Sequence, residues 1–201
     1  MIIGLDISTT CIGFCILTDQ GDFYHTGHLM MSGDTLNQKA IIFDAFLYGL
    51  KNLKNMAVDV PWKNEEIKYI FIEDALKKFS NGFSNAKTLA MLQSFNSICS
   101  YMIFDRLQIE PIKLSVLSAR KMVGLSLNKQ NKDKKTQIVN FVRSLNIVPE
   151  SYWAYKKTGK FKDWCGDQAD AWVIAKAGII SLSIHEEKKI KPKKSRKKSK
   201  L

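Results

Sequence analysis

The sequence predicts an α/β fold, with a five-stranded mixed sheet flanked by helices. Three strands come first: the segments IIGLDI, CIGFCILT and FYHTGHLM within residues 1–31 are short, rich in β-branched and aromatic residues, and separated by polar turns. Helical and strand patterns alternate along the rest of the chain. This order favours an antiparallel three-strand meander that is followed by two parallel strands joined through helices.

Apolar residues at three- and four-residue spacing predict the helices. A first helix begins near Asp34, and a second covers about Asn85 to Leu107. The residues expected to face the core on the second helix are Leu89, Leu92, Phe95, Ile98 and Met102. Between these helices IKYIFIE predicts a fourth strand that ends at Glu73, and EPIKLSV predicts a fifth. Further helices are expected at about 116–123, 132–145 and 167–184.

Composition indicates a globular protein rather than a disordered or membrane-spanning one. Of the 201 residues, 45% are apolar and 10% are aromatic. No apolar run approaches the ~20 residues of a membrane span, and the N-terminus lacks a signal-peptide layout, so a cytoplasmic location is expected. The four cysteines lack metal-binding spacing and are expected to be small core residues in a reducing compartment.

Positive charge is concentrated at the C-terminus. Residues 188–201 contain nine of the 31 lysine and arginine residues and no acid, so residues 1–187 carry only +3 of the net charge of +12. We therefore expect one folded domain at 1–187 and a basic, disordered tail at 188–201. Such a tail either attracts nucleic acid phosphates or serves as a solubilising or localisation segment.

Four carboxylates occupy positions at which an α/β fold places active sites. Asp6 and Glu73 end their strands, so they stand side by side if those strands are parallel neighbours. Asp167 and Asp170 are three residues apart on one face of the last helix, in its predicted first turn. Helix capping would account for Asp167, but the small apolar residues that follow predict that Asp170 is buried and needs a cation.

The chemistry of this donor set indicates a metal centre. Four carboxylates in one pocket repel one another unless metal ions neutralise them, and oxygen ligands select Mg²⁺ or Mn²⁺. Two such ions about 4 Å apart activate water and stabilise the leaving oxygen in phosphodiester hydrolysis. A lysine-rich protein with this site would act on nucleic acid.

The stretches IIGLDISTTCIGFCIL, FIEDA and DQADAW, in this order, resemble the RuvC family of Holliday-junction resolvases. That family has the RNase H-like fold of the retroviral integrase superfamily. The segment LSARKMVGLSLNKQNKDKKTQIVNFV is similar to the family's basic loop and helix before the last acidic motif. The resemblance implies a Mg²⁺-dependent homodimer that cuts branched DNA with paired nicks, leaving 5′-phosphate and 3′-hydroxyl ends.

The resemblance also implies roles for individual residues. Asp6, Glu73, Asp167 and Asp170 match the catalytic acids that bind two metal ions. Lys135 falls where the family places a lysine near the scissile phosphate, and Lys134 is the alternative. Arg120 and Lys121 are candidates for holding the DNA backbone, although a solvated helix face is the simpler account of both.

Two loops are candidate DNA contacts. In SYWAYKKTGKFKDWCGD the candidates are Lys156, Lys157 and Lys160, which alternate with aromatic residues that suit base stacking. A surface loop anchored by its tryptophans explains this pattern equally well. In KKFSNGFSN, Phe79 is a candidate wedge between bases, with packing onto the following helix as the alternative.

Three other functions fit parts of the sequence. An RNase H-type enzyme would share the fold and the acids but cut RNA–DNA hybrids. An actin-like ATPase would share a first phosphate loop similar to GLDISTTCIGF, but this chain lacks the later glycine-rich loop such proteins need. A non-catalytic nucleic-acid-binding protein is the third, and the presence of all four acids argues against it.

Overall fold

A computed structural model describes residues 1–52, 64–74 and 86–190 of the protein. The strands are β1 (Ile2–Ile7), β2 (Cys11–Leu17), β3 (Phe23–Met30), β4 (Tyr69–Glu73) and β5 (Ile112–Leu114). The helices are α1 (Leu36–Lys51), α2 (Ala86–Leu107), α3 (Val116–Met122), α4 (Lys134–Ser144) and α5 (Asp163–Ile190). A short 3₁₀ helix, Glu150–Tyr152, lies between α4 and α5.

The five strands form one mixed sheet in the order β3-β2-β1-β4-β5. The pairs β1/β2 and β2/β3 are antiparallel, whereas β1/β4 and β4/β5 are parallel. The predicted fold class, a three-strand meander extended by two parallel strands and flanked by helices, is therefore confirmed.

Alternation along β1 assigns its residues to the two faces of the sheet, because successive side chains of a strand point to opposite sides. Ile3, Leu5 and Ile7 belong to one buried cluster, together with residues of α1 and α2. Residues of α3, α4 and α5 form a second cluster with Cys15 and Leu17 of β2. The sheet thus lies between two helical layers, and Asp6 faces the α5 layer.

Helix α5 lies very close to the sheet, because the residues between the two are small. Ala169, Ala171, Ala175 and Ala177 are fully buried on it. A Cβ placed on Gly13 of β2 would overlap the backbone carbonyl of Asp167, because the strand and the helix backbones touch at that point. Small residues on both elements are what allow this approach.

Two predictions about the helices are wrong in detail. Helix α5 begins at Asp163 rather than at Asp167, so Asp167 is one turn inside the helix and does not cap it. On α2 the buried residues are Phe95, Asn96, Cys99 and Ile103. Of the predicted face only Phe95 is fully buried. The other four residues are half-buried, and Met102 still packs against the core, but Cys99 and Ile103 point most directly into it.

Some predicted features lie outside the described residues. Phe79 and residues 191–201 of the basic segment belong to this group. Because α5 continues to Ile190, the predicted boundary at residue 187 falls inside that helix, and the division into domain and tail stays a prediction. Within the described ranges, none of the helices has the length and apolar character needed to cross a membrane.

The contact at Gly13 leads to a stability prediction. Gly13→Ala forces β2 and α5 apart, and overpacking of this kind costs about 1–3 kcal/mol of unfolding free energy. Gly49→Ala is the matched control, because no atom lies within 4 Å of a Cβ added to this position of α1. There alanine should stabilise the helix by about 0.5–1 kcal/mol. Urea denaturation of both variants measures the difference, and equal stabilities would contradict the close contact.

Candidate active site

Asp6 and Glu73 lie next to each other at the carboxyl ends of two parallel strands. The register pairs Leu5 of β1 with Ile72 of β4, so the next residues along the strands are Asp6 and Glu73. Their carboxyl groups are close enough to share a proton, which contributes to the raised pKa of Asp6. Both side chains point to the α5 layer, since they alternate with Leu5 and Ile72, which belong to the opposite core cluster.

Asp167 and Asp170 approach this pair from α5. Each residue is only 7% exposed, and each carboxylate is paired with a cation from another helix. Lys135 Nζ of α4 donates to Asp167 Oδ1 at 2.5 Å, and Arg120 Nη2 of α3 donates to Asp170 Oδ1 at 3.0 Å. Burial of Asp170 is therefore confirmed. We call Asp6, Glu73, Asp167 and Asp170 the carboxylate cluster.

Local sequence explains how the two cations reach the cluster. Asp133 caps α4 by accepting from Thr136 N at 3.0 Å, which places Lys135 in the first turn of that helix. Gly166 of α5 leaves room for its stem, because a Cβ at that position would lie 2.7 Å from Lys135 Cδ. On α3 the fully buried Ala119 anchors the helix beside Arg120.

Burial and mutual repulsion make the cluster electrostatically costly. Burial, followed by the charges of Asp170, Glu73 and Asp167, raises the pKa of Asp6 well above its ordinary value. Burial also raises the pKa values of Glu73 and Asp170, although Arg120 acts against both shifts. The pKa of Lys135 is raised because the Asp167 carboxylate outweighs the effect of burial. The site therefore favours bound cations or bound protons.

Two neighbours of the cluster have structural roles. Asn96 is buried on α2 and donates to the Glu73 backbone carbonyl at 3.0 Å, so it holds the end of β4. Sequence reasoning missed it, and the signal was a polar residue between Phe95 and Cys99 on an otherwise apolar face. Burial and the Asp167 charge raise the pKa of the Cys11 thiol to about 12, so this cysteine stays neutral.

The donors of the cluster suit a hard divalent cation, because they are carboxylate oxygens at a buried site of excess negative charge. As the side chains stand, no three His, Cys, Asp or Glu residues within 1–52, 64–74 and 86–190 converge on one metal position. In this arrangement Asp170 and Asp167 are paired with Arg120 and Lys135 instead. The roles of the four acids as metal ligands stay predictions.

Among the described residues, two cavities include a cation that is paired with the cluster. The first, of about 570 Å³, is lined by Arg120, Lys121, Lys129 and Lys134 among other residues, and we call it the Arg120 cavity. The second, of about 510 Å³, reaches Asp167 and includes Lys135, Lys156 and Trp164, and we call it the Trp164 cavity. The consecutive residues Lys134 and Lys135 therefore line different cavities.

The predicted DNA contacts fall into three groups. Lys121 and Lys134 are exposed in the Arg120 cavity, whereas Lys157 and Lys160 are exposed on the loop between Tyr155 and Phe161. Lys156 is exposed in the Trp164 cavity and pairs with Asp163 at 2.8 Å. Arg120 is not on a solvated helix face, since its side chain is only 18% exposed and contacts Asp170. Lys162, the fourth lysine of the same aromatic and lysine-rich segment, also lines the Trp164 cavity.

Two solved structures of RuvC are similar to this chain. One, RuvC of Thermus thermophilus in complex with Holliday junction substrate, is 10% identical, with a TM-score of 0.59 and coverage of 91% of this chain and 94% of that chain. The other, a Thermus thermophilus RuvC structure, is 12% identical, with a TM-score of 0.57 and coverage of 92% and 96%. No family model and no curated protein matches this chain.

These similarities establish the fold. The chain has the RNase H-like fold of RuvC over more than nine-tenths of its length. The resemblance predicted from the motifs IIGLDISTTCIGFCIL, FIEDA and DQADAW is confirmed at that level.

The pKa shifts predict how stability changes with pH in the absence of metal. A carboxyl whose pKa is higher in the folded than in the unfolded protein binds protons more tightly when folded, so stability falls as pH rises from about 4 through the raised pKa. Asp6 and Glu73 both show raised pKa values, so wild-type stability in EDTA should decline over this range. Asp6→Asn should flatten the decline in urea titrations across the pH series. Parallel pH profiles for the variant and the wild type would contradict this.

Binding of a divalent cation should offset the destabilisation that the ionised carboxylates cause. At neutral pH, Mg²⁺ or Mn²⁺ should raise the melting temperature of the wild type, because a ligand that binds only the folded state stabilises it. Asp6→Asn should reduce this rise, whereas Asp34→Asn, an exposed acid before α1, should keep it. An equal rise in all three proteins would indicate that the ions bind elsewhere.

Proposed function

We propose that the protein is a Mg²⁺-dependent endonuclease that cuts branched DNA, with four-way junctions as its main substrate. The observation that carries the proposal is the carboxylate cluster: β1, β4 and α5 bring four acids together on the fold of RuvC. The basic lining of the Arg120 cavity and of the Trp164 cavity suits a polyanionic substrate.

The chain's own residues have distinct parts in this proposal. Asp6, Glu73, Asp167 and Asp170 would hold two Mg²⁺ ions, with Mn²⁺ as a substitute. When bound, these ions supply an activated water and charge stabilisation for phosphodiester hydrolysis. Arg120 and Lys135 keep two of the acids paired before binding, and each also lines a cavity from which it can contact a phosphate.

The choice of substrate rests on the fold comparison. The similar RuvC structure holds a Holliday junction substrate, and a symmetric junction has two equivalent strands to cut. We therefore propose that the protein acts as a homodimer in which each subunit makes one nick, since a two-fold symmetric pair suits a two-fold symmetric substrate. The proposed products carry 5′-phosphate and 3′-hydroxyl ends, and the proposed location is the cytoplasm.

Cleavage of a labelled four-way DNA junction tests the proposal. The wild type should make paired symmetric nicks only with Mg²⁺ or Mn²⁺ present. Asp6→Asn should lower the rate by at least about 100-fold, because even outer partners of metal ligands contribute 10- to 100-fold. Asp34→Asn is the control for loss of an exposed carboxylate and should cut normally.

Matched linear duplex and RNA–DNA hybrid complete the experiment. Cleavage of the hybrid alone would move the function to an RNase H-type nuclease while keeping the metal site. Junction binding without cleavage in either metal would overturn the enzymatic proposal.

A further inference from the structure

The Trp164 cavity combines an aromatic wall with positive charge beside the carboxylate cluster. Trp164 and Met30 supply apolar surface, and Met30 is 60% exposed despite its size. Lys135, Lys156 and Lys162 supply the charge, while Asp167 of the cluster forms part of the lining. A volume of about 510 Å³ falls in the usual range for small-ligand pockets.

Trp164 is held as a rigid platform. Its ring stacks on His28 of β3 with a centroid distance of 4.2 Å and an interplanar angle of 10°. The Nδ1 atom of His28 in turn lies 3.4 Å from Nε2 of Gln168, a buried residue of α5. A preorganised aromatic plane loses little entropy when a second ring stacks on it, so this arrangement favours binding of a flat group.

Most aromatic residues of the loop before α5 pack against neighbouring side chains. Trp153 is buried, and Phe161 packs on Tyr155 with Arg143 placed 5.5 Å from its ring. Tyr155 and Phe161 form a bridge that closes a small hairpin, which carries Lys156 at its base. The anchoring explanation therefore holds for Trp153 and Phe161, whereas Tyr155 is 45% exposed, and Trp164 both packs on the core and borders the cavity.

The charge of the cavity suits one phosphate group. Asp163 is paired with Lys156, and Asp167 is paired with Lys135. The positive charge of Lys162 is therefore in excess over the acids that line the cavity. The cavity thus presents a flat apolar surface and a cation within one compartment. A nucleotide has the matching parts, a planar base and a phosphate.

We infer that the Trp164 cavity binds one unstacked nucleotide of the DNA strand to be cut, with its base against Trp164 and its phosphate at Lys156 and Lys162. This inference rests on the proposed function, because it places the nucleotide beside the phosphate at the carboxylate cluster. In continuous duplex the base faces are covered by neighbouring base pairs. The cavity therefore selects DNA in which a base near the cut is free to leave the stack, as at a branch point.

An abasic-site scan tests this without changing the protein. Four-way DNA junctions with a single abasic nucleotide at successive positions around the branch point are titrated with full-length Asp6→Asn protein in EDTA, so that nothing is cut. An abasic nucleotide at one of these positions should weaken binding about 5- to 100-fold, the range expected for loss of one base–aromatic stack. A flat scan would overturn the inference.

Variants of the cavity identify the partner of that base. Trp164→Ala, in the same Asp6→Asn background, should weaken binding of the intact junction by a similar factor and show no further loss with the abasic junction, because the two changes remove the same contact. Trp164→Phe should retain most of the affinity. Tyr69→Ala removes a 39% exposed aromatic at the opposite end of β4 and should change nothing. Unchanged binding by a folded Trp164→Ala variant would contradict the inference.

Lys162→Ala tests the proposed contact between the cavity and the phosphate of the nucleotide. It should weaken binding to all junctions uniformly and reduce the salt dependence of the affinity by about one charge. Loss of affinity in this variant together with a flat abasic scan would mean that the cavity binds the DNA backbone only, which would overturn the stacking contact.

The inference and the proposed function fail in different ways. Trp164-dependent binding of junctions by a wild type that cuts nothing would remove the nuclease but keep the nucleotide site. Junction cleavage by a protein whose binding ignores Trp164 and the abasic site would keep the nuclease and remove the nucleotide site.

Discussion

The contact between α5 and the centre of the sheet is the constraint on which the rest of the structure depends. Helix and strand touch backbone to backbone at Gly13, and buried alanines continue the contact along α5. Because the helix lies this close, Asp167 and Asp170 reach the ends of β1 and β4, where Asp6 and Glu73 stand. Larger residues at this interface would lift both aspartates away from their partners. The same packing thus builds the core and assembles the carboxylate cluster.

Charge compensation is the second organising feature. Bringing four carboxylates together at a partly buried site is unfavourable unless cations accompany them, and the protein supplies two from separate helices, Arg120 on α3 and Lys135 on α4. These side chains occupy the flanks of the cluster and also line the cavities beside it. A phosphate that entered from either side would meet a cation already in place. The arrangement therefore links the stability of the folded protein to the binding of its proposed substrate.

Much of the fold could be predicted because hydrophobic patterning and strand order determine it. The meander and the burial of Asp170 follow from period-two and period-three-to-four spacing. The pairing of β1 with β4 entered only as a condition, because spacing identifies strands but not their neighbours. The start of α5 could not be predicted, because its first turn contains Gly166 and is preceded by Lys162 rather than by a capping residue. The buried face of α2 was also not predicted correctly, because it includes the polar residue Asn96. The Trp164 cavity joins β3 to α5, and no local pattern shows that His28 and Trp164 meet.

The carboxylate cluster is drawn from positions 6, 73, 167 and 170, so its members come from the beginning, middle and end of the folded chain. During synthesis the meander and β4 can leave the ribosome well before α5 exists. A nascent chain at that stage holds Asp6 and Glu73 but neither of the aspartates of α5, nor the helix that covers the sheet. The complete cluster forms only when the last helix docks, which is also the step that closes the core on that face. Assembly of the acidic centre is therefore coupled to closure of this core by α5.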